Sequence, residues 1–431
     1  MHDPSPNRHS ADGPSATRLW TLDFTVTVLG IFSFFGSFFF LLSALPDYIE
    51  SIGGEEWQIG LIVGGFSILP LLVWPLVGRW SDRGHRVRLM YLALVITAVS
   101  LLLQAFSEDV WSLFALRVVQ GLGMVAFPTA GASIIGVIAP VHRRGEGIGY
   151  YGFSTSASQM AFPALGVLIA DTWGFDAVFF ISAATAAGTI LLMVPLREPP
   201  TQVVVERAER PVLLPRRALF PMAVFFTVTF SFTALAAFLP DLGDERGFGN
   251  VGLYFLVSGA FAMVVRPLAG TVSDRYGRST MVVPGLVLLA GGMALLAAAD
   301  SQLIMFVAGA INGVGFGTVH TGLFALAFDR VPPTQRGGAA AVFRSAWDSG
   351  GLAGGVVLGL VASAIDVEST FWISAALLAG AVFLYMGGRS AGLTQPYGER
   401  SDGGDEVSTE EERGSGGAGD PGTVPVGTSG D

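Results

Sequence analysis

The sequence predicts an all-α membrane protein of twelve transmembrane helices built as two six-helix halves, and three observations predict it. Hydrophobic residues make up 51% of the 431 residues and charged residues only 13%, too little charge to cover a soluble chain of this length. The stretch GRWSDRGHRVR that starts at Gly78 returns without a gap, 192 positions later, as GTVSDRYGRST from Gly270. The same offset carries Gly121 and Gly123 onto Gly313 and Gly315, and Arg144-Gly145 onto Arg336-Gly337. Leu45-Pro46-Asp47 echoes Leu239-Pro240-Asp241 with a slip of two residues. Finally, arginine and acid alternate from loop to loop, as the two sides of a membrane require. In an apolar chain, two homologous halves meeting face to face form an architecture that moves solutes.

A helix needs roughly 20 apolar residues to cross a bilayer. In the first half such stretches run over 22–45, 57–79, 88–107, 111–139, 145–170 and 177–196. In the second they run over 218–240, 249–272, 280–299, 302–329, 336–364 and 369–388. Residues 1–20 form a polar N-terminal segment without the apolar stretch and cleavage site of a signal peptide. Residues 21–196 and 218–389 are the two halves, joined by a polar, proline-punctuated linker at 197–217. Residues 390–431 form an acidic tail; from Glu399 to Asp431 it holds nine acids and two arginines, so it is expected to be disordered.

Loops after even-numbered spans carry Arg83, Arg86, Arg88, Arg143, Arg144, the linker arginines from Arg197 to Arg217, Arg275, Arg278, Arg330 and Arg336. Loops after odd-numbered spans carry Asp47, Glu50, Glu55, Glu56, Glu108, Asp109, Asp171, Asp176, Asp300, Asp366 and Glu368, with Arg246 their one arginine. This places both termini and the linker in the cytoplasm of a multi-pass protein of the cytoplasmic membrane.

Composition also excludes. The chain has no cysteine, hence no disulfide or thiolate site, and no lysine, hence no Gly-x-x-x-x-Gly-Lys-Ser/Thr loop for a nucleotide. No His-Glu-x-x-His, nucleophile–base or paired-carboxylate arrangement occurs. The expectation is therefore no enzyme, no cofactor, no metal and no nucleic acid, with ion gradients or downhill flow as the remaining driving forces. Glycines such as Gly350, Gly351, Gly354, Gly355 and Gly359 of span eleven serve close helix packing, and beyond that allow sliding.

Gly270, Asp274, Arg275, Gly277 and Arg278 fit the pattern Gly-x-x-x-Asp-Arg-x-Gly-Arg between the second and third spans of a half. The first copy fits at Gly78, Asp82, Arg83 and Arg86, with His85 in the second glycine's place and Gly84 one residue early. With the twelve spans, the repeat and the long central loop over residues 20–390, the chain resembles the major facilitator superfamily. Arg117-Val-Val-Gln120-Gly121-Leu-Gly123 in span four resembles an element of its proton-coupled members, especially drug and sugar efflux proteins. Phe162-Pro163-Ala164-Leu165-Gly166 resembles the Gly-Pro-x-x-Gly element of antiporters, except that Phe162 stands where the first glycine belongs. The resemblance implies that the loop motif is a conformational latch, closing the halves when a central cavity faces outward and breaking when it faces inward. A carboxylate at a helix N-terminus gains about 0.3–1 kcal/mol, more with an arginine partner. Membrane orientation explains the motif's arginines but not Asp82 and Asp274.

Charges inside a membrane need a partner or a watery cavity. Arg117, about 9 Å from the outer surface at 1.5 Å per residue, either snorkels to headgroups or faces the cavity. Arg344 and Asp348 share a helical face at i, i+4; Asp348, near the midplane, is the leading candidate for a proton site, against a permanently paired structural ion. Trp347 either stacks on a substrate or fills a gap. Gln120, its repeat equivalent Asn312, and Gln159 either line one cavity or bond between helices. His320 is a candidate titrating group or a satisfied histidine, and Arg266 is expected to snorkel to the cytoplasmic end.

Together these features lead to the expectation of a monomeric carrier for a small-molecule substrate, coupled to a proton or sodium ion within the lipid bilayer, working by alternating access, with efflux by antiport foremost. Uptake by symport or facilitated flow is the alternative. A non-transporting sensor or scaffold is the alternative from another class.

Overall fold

A computed structural model describes residues 19–140, 143–199, 215–332 and 335–397. Among them no strand occurs, and the helices are α1 (Leu22–Phe39), α2 (Leu45–Ser51), α3 (Glu56–Gly65), α4 (Ile68–Asp82), α5 (Arg86–Gln104), α6 (Val110–Ile138), α7 (Arg144–Trp173) and α8 (Phe175–Leu192), then α9 (Leu219–Glu245), α10 (Gly252–Tyr276), α11 (Ser279–Ala297), α12 (Gln302–Asp329), α13 (Arg336–Ala364) and α14 (Val367–Ser390). Counting α3 and α4 as one broken span, and α2 as a short helix beyond the first, this gives two sets of six spans. Eleven are long and apolar enough to cross a membrane by composition alone. The other, α13, has the length at 29 residues but carries Arg344 and Asp348 along it.

A proline follows each of the two breaks. Pro70 has no N–H for the carbonyl of Phe66, and Pro46 none for Leu42, so the helical ladder fails just before each. Acids at the helix starts explain much of the loop charge. Asp109 accepts from the N–H groups of Trp111 and Ser112, both at 2.9 Å, and Asp366 from that of Ser369 at 2.7 Å. Glu55 and Gln58 form a reciprocal capping box on α3. These helices all begin on one side of the molecule, the acidic end; the loops at the opposite, arginine end hold the repeated motif.

Each half packs on itself, α5 on α6 and α8, α1 on α7 and α8, and in the second half α12 on α10 and α11, α9 on α13 and α14. The halves meet mainly through α3 against α13 and α7 against α10. At the acidic end this seam is tight. A side chain on Gly60 would strike the carbonyl oxygen of Gly355, and one on Gly355 would strike that of Gly60. Gly359 lies on the backbone of Trp57, whose N–H donates to Ser363 Oγ at 2.9 Å. Across the other contact, Gly252 abuts Pro163 and Ala164, and Gly259 abuts Met160. Toward the arginine end the halves part: Gly78 of α4, Gly149 and Gly152 of α7, and Gly270 of α10 face open space.

Beside the seam the two Leu-Pro-Asp copies come together, α2 against α9. Burial first, then the charges of Asp244, Glu50 and Asp171, push the Asp47 carboxyl up to about 7. Glu50 is raised as well, by burial and then by Asp244. Asp241 is buried with neither carboxylate oxygen hydrogen-bonded. At the arginine end, Tyr397 N–H donates to the Asp329 carbonyl at 2.7 Å, and Arg217 sits 5.0 Å over the Tyr397 ring. The rest of the acidic tail, like residues 1–18 and most of the linker, lies outside the described residues.

Two outcomes follow for the seam. Glu56 Oε2 and Ser363 Oγ are 3.3 Å apart, so a Glu56→Cys/Ser363→Cys pair should cross-link readily in this naturally cysteine-free chain. Adding Gly355→Leu should cut the yield severalfold, because the leucine displaces the Gly60 backbone. The second outcome concerns pH. A carboxyl raised in the closed seam binds its proton more tightly there, so closure is favoured at acid pH and weakens as pH climbs from 3.8 through about 7. Spin labels attached to the same two cysteines before the titration should report the seam widening over that window, and Asp47→Asn should flatten the change.

Candidate functional site

Between the halves lies a cavity of about 1120 Å³, counting its open mouth. The first half lines it with Phe35, Phe38 and Phe39 of α1, Phe66 at the α3–α4 break, Arg117 of α6, and Tyr151, Thr155, Ser156 and Gln159 of α7. The second half contributes Thr229, Phe232 and Thr233 of α9, Arg266 of α10, Phe316 and His320 of α12, and Arg344 and Trp347 of α13. A smaller lobe continues past Gln159 and Arg266 to Asn312. The lining is largely aromatic with a few convergent polar groups, the usual make-up of a small-molecule site.

Arg117 does not snorkel. It is 2% exposed, with its guanidinium 5.2 Å from the Phe38 ring centre and 5.7 Å from that of Phe66. Its Nη1 donates to Gln120 Oε1 at 2.9 Å, and Gln104 Nε2 donates to the same oxygen at 3.3 Å. Gln120 thus stands behind Arg117 rather than on the cavity wall, one turn along the helix and inside its own half. Of the expected pair of facing amides, Gln120 is therefore off the wall and bonds between helices instead. Asn312 does line the smaller lobe, its Nδ2 donating to Tyr254 Oη of its own half at 2.7 Å. Gln159 does line the cavity.

Arg266 also differs from expectation. Instead of reaching for the arginine end it lines the cavity, where Nη1 donates to Ser156 Oγ of the opposite half. The signal was in the sequence: Gly252, Gly259 and Arg266 recur every seven residues and share one face of α10, the face on which α7 packs.

Arg344 and Asp348 come together as their spacing predicts, Nε to Oδ2, but at 3.8 Å. Arg344 is at the cavity and Asp348 is buried off its lining, with Oδ1 unpartnered. Trp347 faces Phe232 at 5.7 Å and Phe316 at 6.0 Å between ring centres. His320 sits in an aromatic cluster with Phe225, Phe316, Phe324 and Phe343.

The repeated motif lies at the arginine end. Arg278 pairs with Asp274 and, through Nε, with Asp329 Oδ2 at 2.6 Å, all within the second half. Its repeat equivalent, Arg86, donates from Nε to Ser133 Oγ of α6 at 2.8 Å. Both arginines therefore tie the third span of a half to its fourth. Arg83 and Arg275 are exposed, Gly277 has a φ of 90° and ends α10, and the side chain of Asp82 lies outside the described set. Glu198, which the sequence did not single out, caps α5 by accepting from the N–H groups of Arg86 at 3.0 Å and Val87 at 2.9 Å.

Comparison with known proteins agrees with this architecture. A sequence model of the Major Facilitator Superfamily matches residues 27–279 and 223–413. The chain is 25% identical over 300 residues to the multidrug resistance protein MdtG of Enterobacter lignolyticus, covering 65% of this chain and 70% of that one. Its fold is similar to a bacterial homolog of the human lysosomal transporter Spinster, in an inward-facing, unoccupied conformation: TM-score 0.72, 15% identity, 88% of this chain and 96% of that one. The nucleoside transporter NupG is similar too, with TM-score 0.69 and 16% identity over 85% of this chain and 99% of that one.

Proposed function

The chain belongs to the Major Facilitator Superfamily and is a membrane transporter, and on that premise we propose that it exports small, partly apolar organic compounds by proton-coupled alternating access. One observation carries the reading. An aromatic cavity with three arginines lies between halves that touch at one end and part at the other. With the arginine end in the cytoplasm, as loop charge argues, this conformation is inward-facing and loads from the cytoplasm. The likeness to a protein named for multidrug resistance supports export of compounds with an apolar body.

Asp348 is the residue to which the proposal gives the coupling proton, because it is buried at the cavity's edge with one oxygen free and an arginine at the long end of ion-pair distance. The motif residues Gly78, Asp82, Arg83, Arg86, Gly270, Asp274, Arg275, Gly277 and Arg278 are given the latch. In the inward-facing form Asp274 has its arginine partner in its own half and is largely exposed, ready to exchange that contact for one with the first half. A second reading, proton-linked uptake, is favoured by the same Arg344–Asp348 pair: a proton on Asp348 frees Arg344 for an acid, so the two would load together.

Reconstitution in liposomes with a trapped pH dye tests both. Compound-driven proton flux under an imposed gradient marks a proton-coupled carrier, and its sign separates antiport from symport; flux that follows sodium instead reassigns the ion. Asp348→Asn should lower gradient-driven flux by about tenfold or more, the effect of about 1.4 kcal/mol, while leaving substrate counterflow; unchanged gradient dependence excludes it as the coupling site. Asp274→Asn should slow transport severalfold with the same amount of protein in the membrane, and wild-type rates would remove the latch.

A further inference from the structure

The charge of the cavity is one-sided. Arg117, Arg266 and Arg344 line it, and no carboxylate does. The nearest acid, Asp348, lies off the lining and is engaged with Arg344 alone. Arg117 donates to an uncharged amide and Arg266 to a hydroxyl, and no acid lies within ion-pair distance of either among the described residues. In each of these two arginines Nε is buried and has no acceptor. One belongs to the first half and the other to the second. An arginine inside a membrane without a counter-charge is costly, and the cost persists in this chain at two places in one cavity.

Around the arginines the walls are flat and apolar: Phe38 and Phe66 on one side, Phe232, Phe316 and Trp347 on the other. A neutral ligand would fill that space but leave both guanidinium groups uncompensated. A cationic one would add repulsion to the same site. An anionic group supplies what the two Nε–H donors lack, in the charge-assisted form that arginine makes best.

Resting on the transporter reading above, we propose that the substrate is an amphipathic organic anion. A carboxylate or sulfonate is held by Arg266 and drawn by the field of Arg117, and an aromatic body lies among Phe232, Phe316 and Trp347. Arg344 joins the anion when Asp348 carries a proton.

The test uses three matched probes on the full chain in phosphatidylcholine nanodiscs, which offer no anionic lipid to occupy the site: naphthalene-2-carboxylate, naphthalene-2-carboxamide and 2-naphthylmethylammonium. Titration calorimetry should give the carboxylate at least about tenfold tighter binding than either of the others. Arg266→Gln should remove that preference by weakening the carboxylate far more than the carboxamide, and Arg266→Lys should restore part of it. Thermal melting of each variant confirms that it is folded. The proposal is overturned if the ammonium or the amide binds as tightly as the acid, if the acid's advantage survives both Arg266→Gln and Arg117→Gln, or if none of the three binds. Running the same probes in the liposome assay keeps the two readings apart: coupled flux of the ammonium would leave an exporter standing and the anion assignment fallen.

Discussion

The contact on which the other features depend is backbone against backbone. Gly60 of α3 and Gly355 of α13 each hold the space that the other's carbonyl requires. Lipid gives helices no hydrophobic reason to associate, so the attraction must come from close van der Waals approach. Few side-chain bonds reinforce it; Trp57 and Glu56 to Ser363, Asn250 to Ala164 and Arg266 to Ser156 are hydrogen bonds between the halves that help to fix its register. Because this approach is confined to the acidic end, the opposite ends of the same helices separate and the cavity opens between them. Phe66 follows α3 directly and places its ring over Arg117. A shift of the seam therefore reaches the cavity within two turns of one span. The carboxyls of Asp47, Glu50 and Asp241 gather at the same end and oppose closure once ionised, so a short-range attraction is set against a longer-range repulsion.

The spans were readable because a membrane imposes a length and an apolar composition on each helix. For α12 and α13 the expected bounds coincide with those observed, and the others differ by a few residues. The breaks at Phe40–Ala44 and Phe66–Ser67 were not anticipated. Hydropathy is blind to them, since the residues are as apolar as their neighbours; the missing N–H of Pro46 and Pro70 contributes to each break. Yet Pro240, in the equivalent Leu-Pro-Asp of α9, leaves its helix continuous. Proline alone did not decide the matter.

Side-chain roles were legible where spacing defines them and obscure where packing does. The i, i+4 step of Arg344 and Asp348 fixed their meeting. For Arg266, distance from the loop suggested a residue reaching out of the membrane, whereas the glycines seven and fourteen residues before it turn that face of α10 toward α7. For Gln120 and Asn312, repeat symmetry suggested one shared cavity. Each is bound to a neighbour of its own half, Arg117 in one case and Tyr254 in the other, and only Asn312 reaches the cavity, in its smaller lobe. Symmetry conserved the position of the amides and not their partners.

That divergence between the halves shapes the cavity's charge. The repeat equivalents of Arg117, Arg266 and Arg344 are Gly309, Trp74 and Gly152. Gly309 lies against the ring of Tyr254, which occupies the space a side chain would use, while Gly152 faces open space. Each pseudo-equivalent pair thus holds one arginine, not two. Six would repel one another in a poorly screened site and drive the halves apart. With one charge on the first half and two on the second, contacts inside a half, such as Arg117 to Gln120 and Arg344 to Asp348, travel unchanged when the halves rotate. The spacing between Arg117 and the Arg266–Arg344 pair does not. A ligand that bridges the halves therefore meets a different field in each conformation, and differential binding of that kind is what any ligand must have to shift a conformational equilibrium.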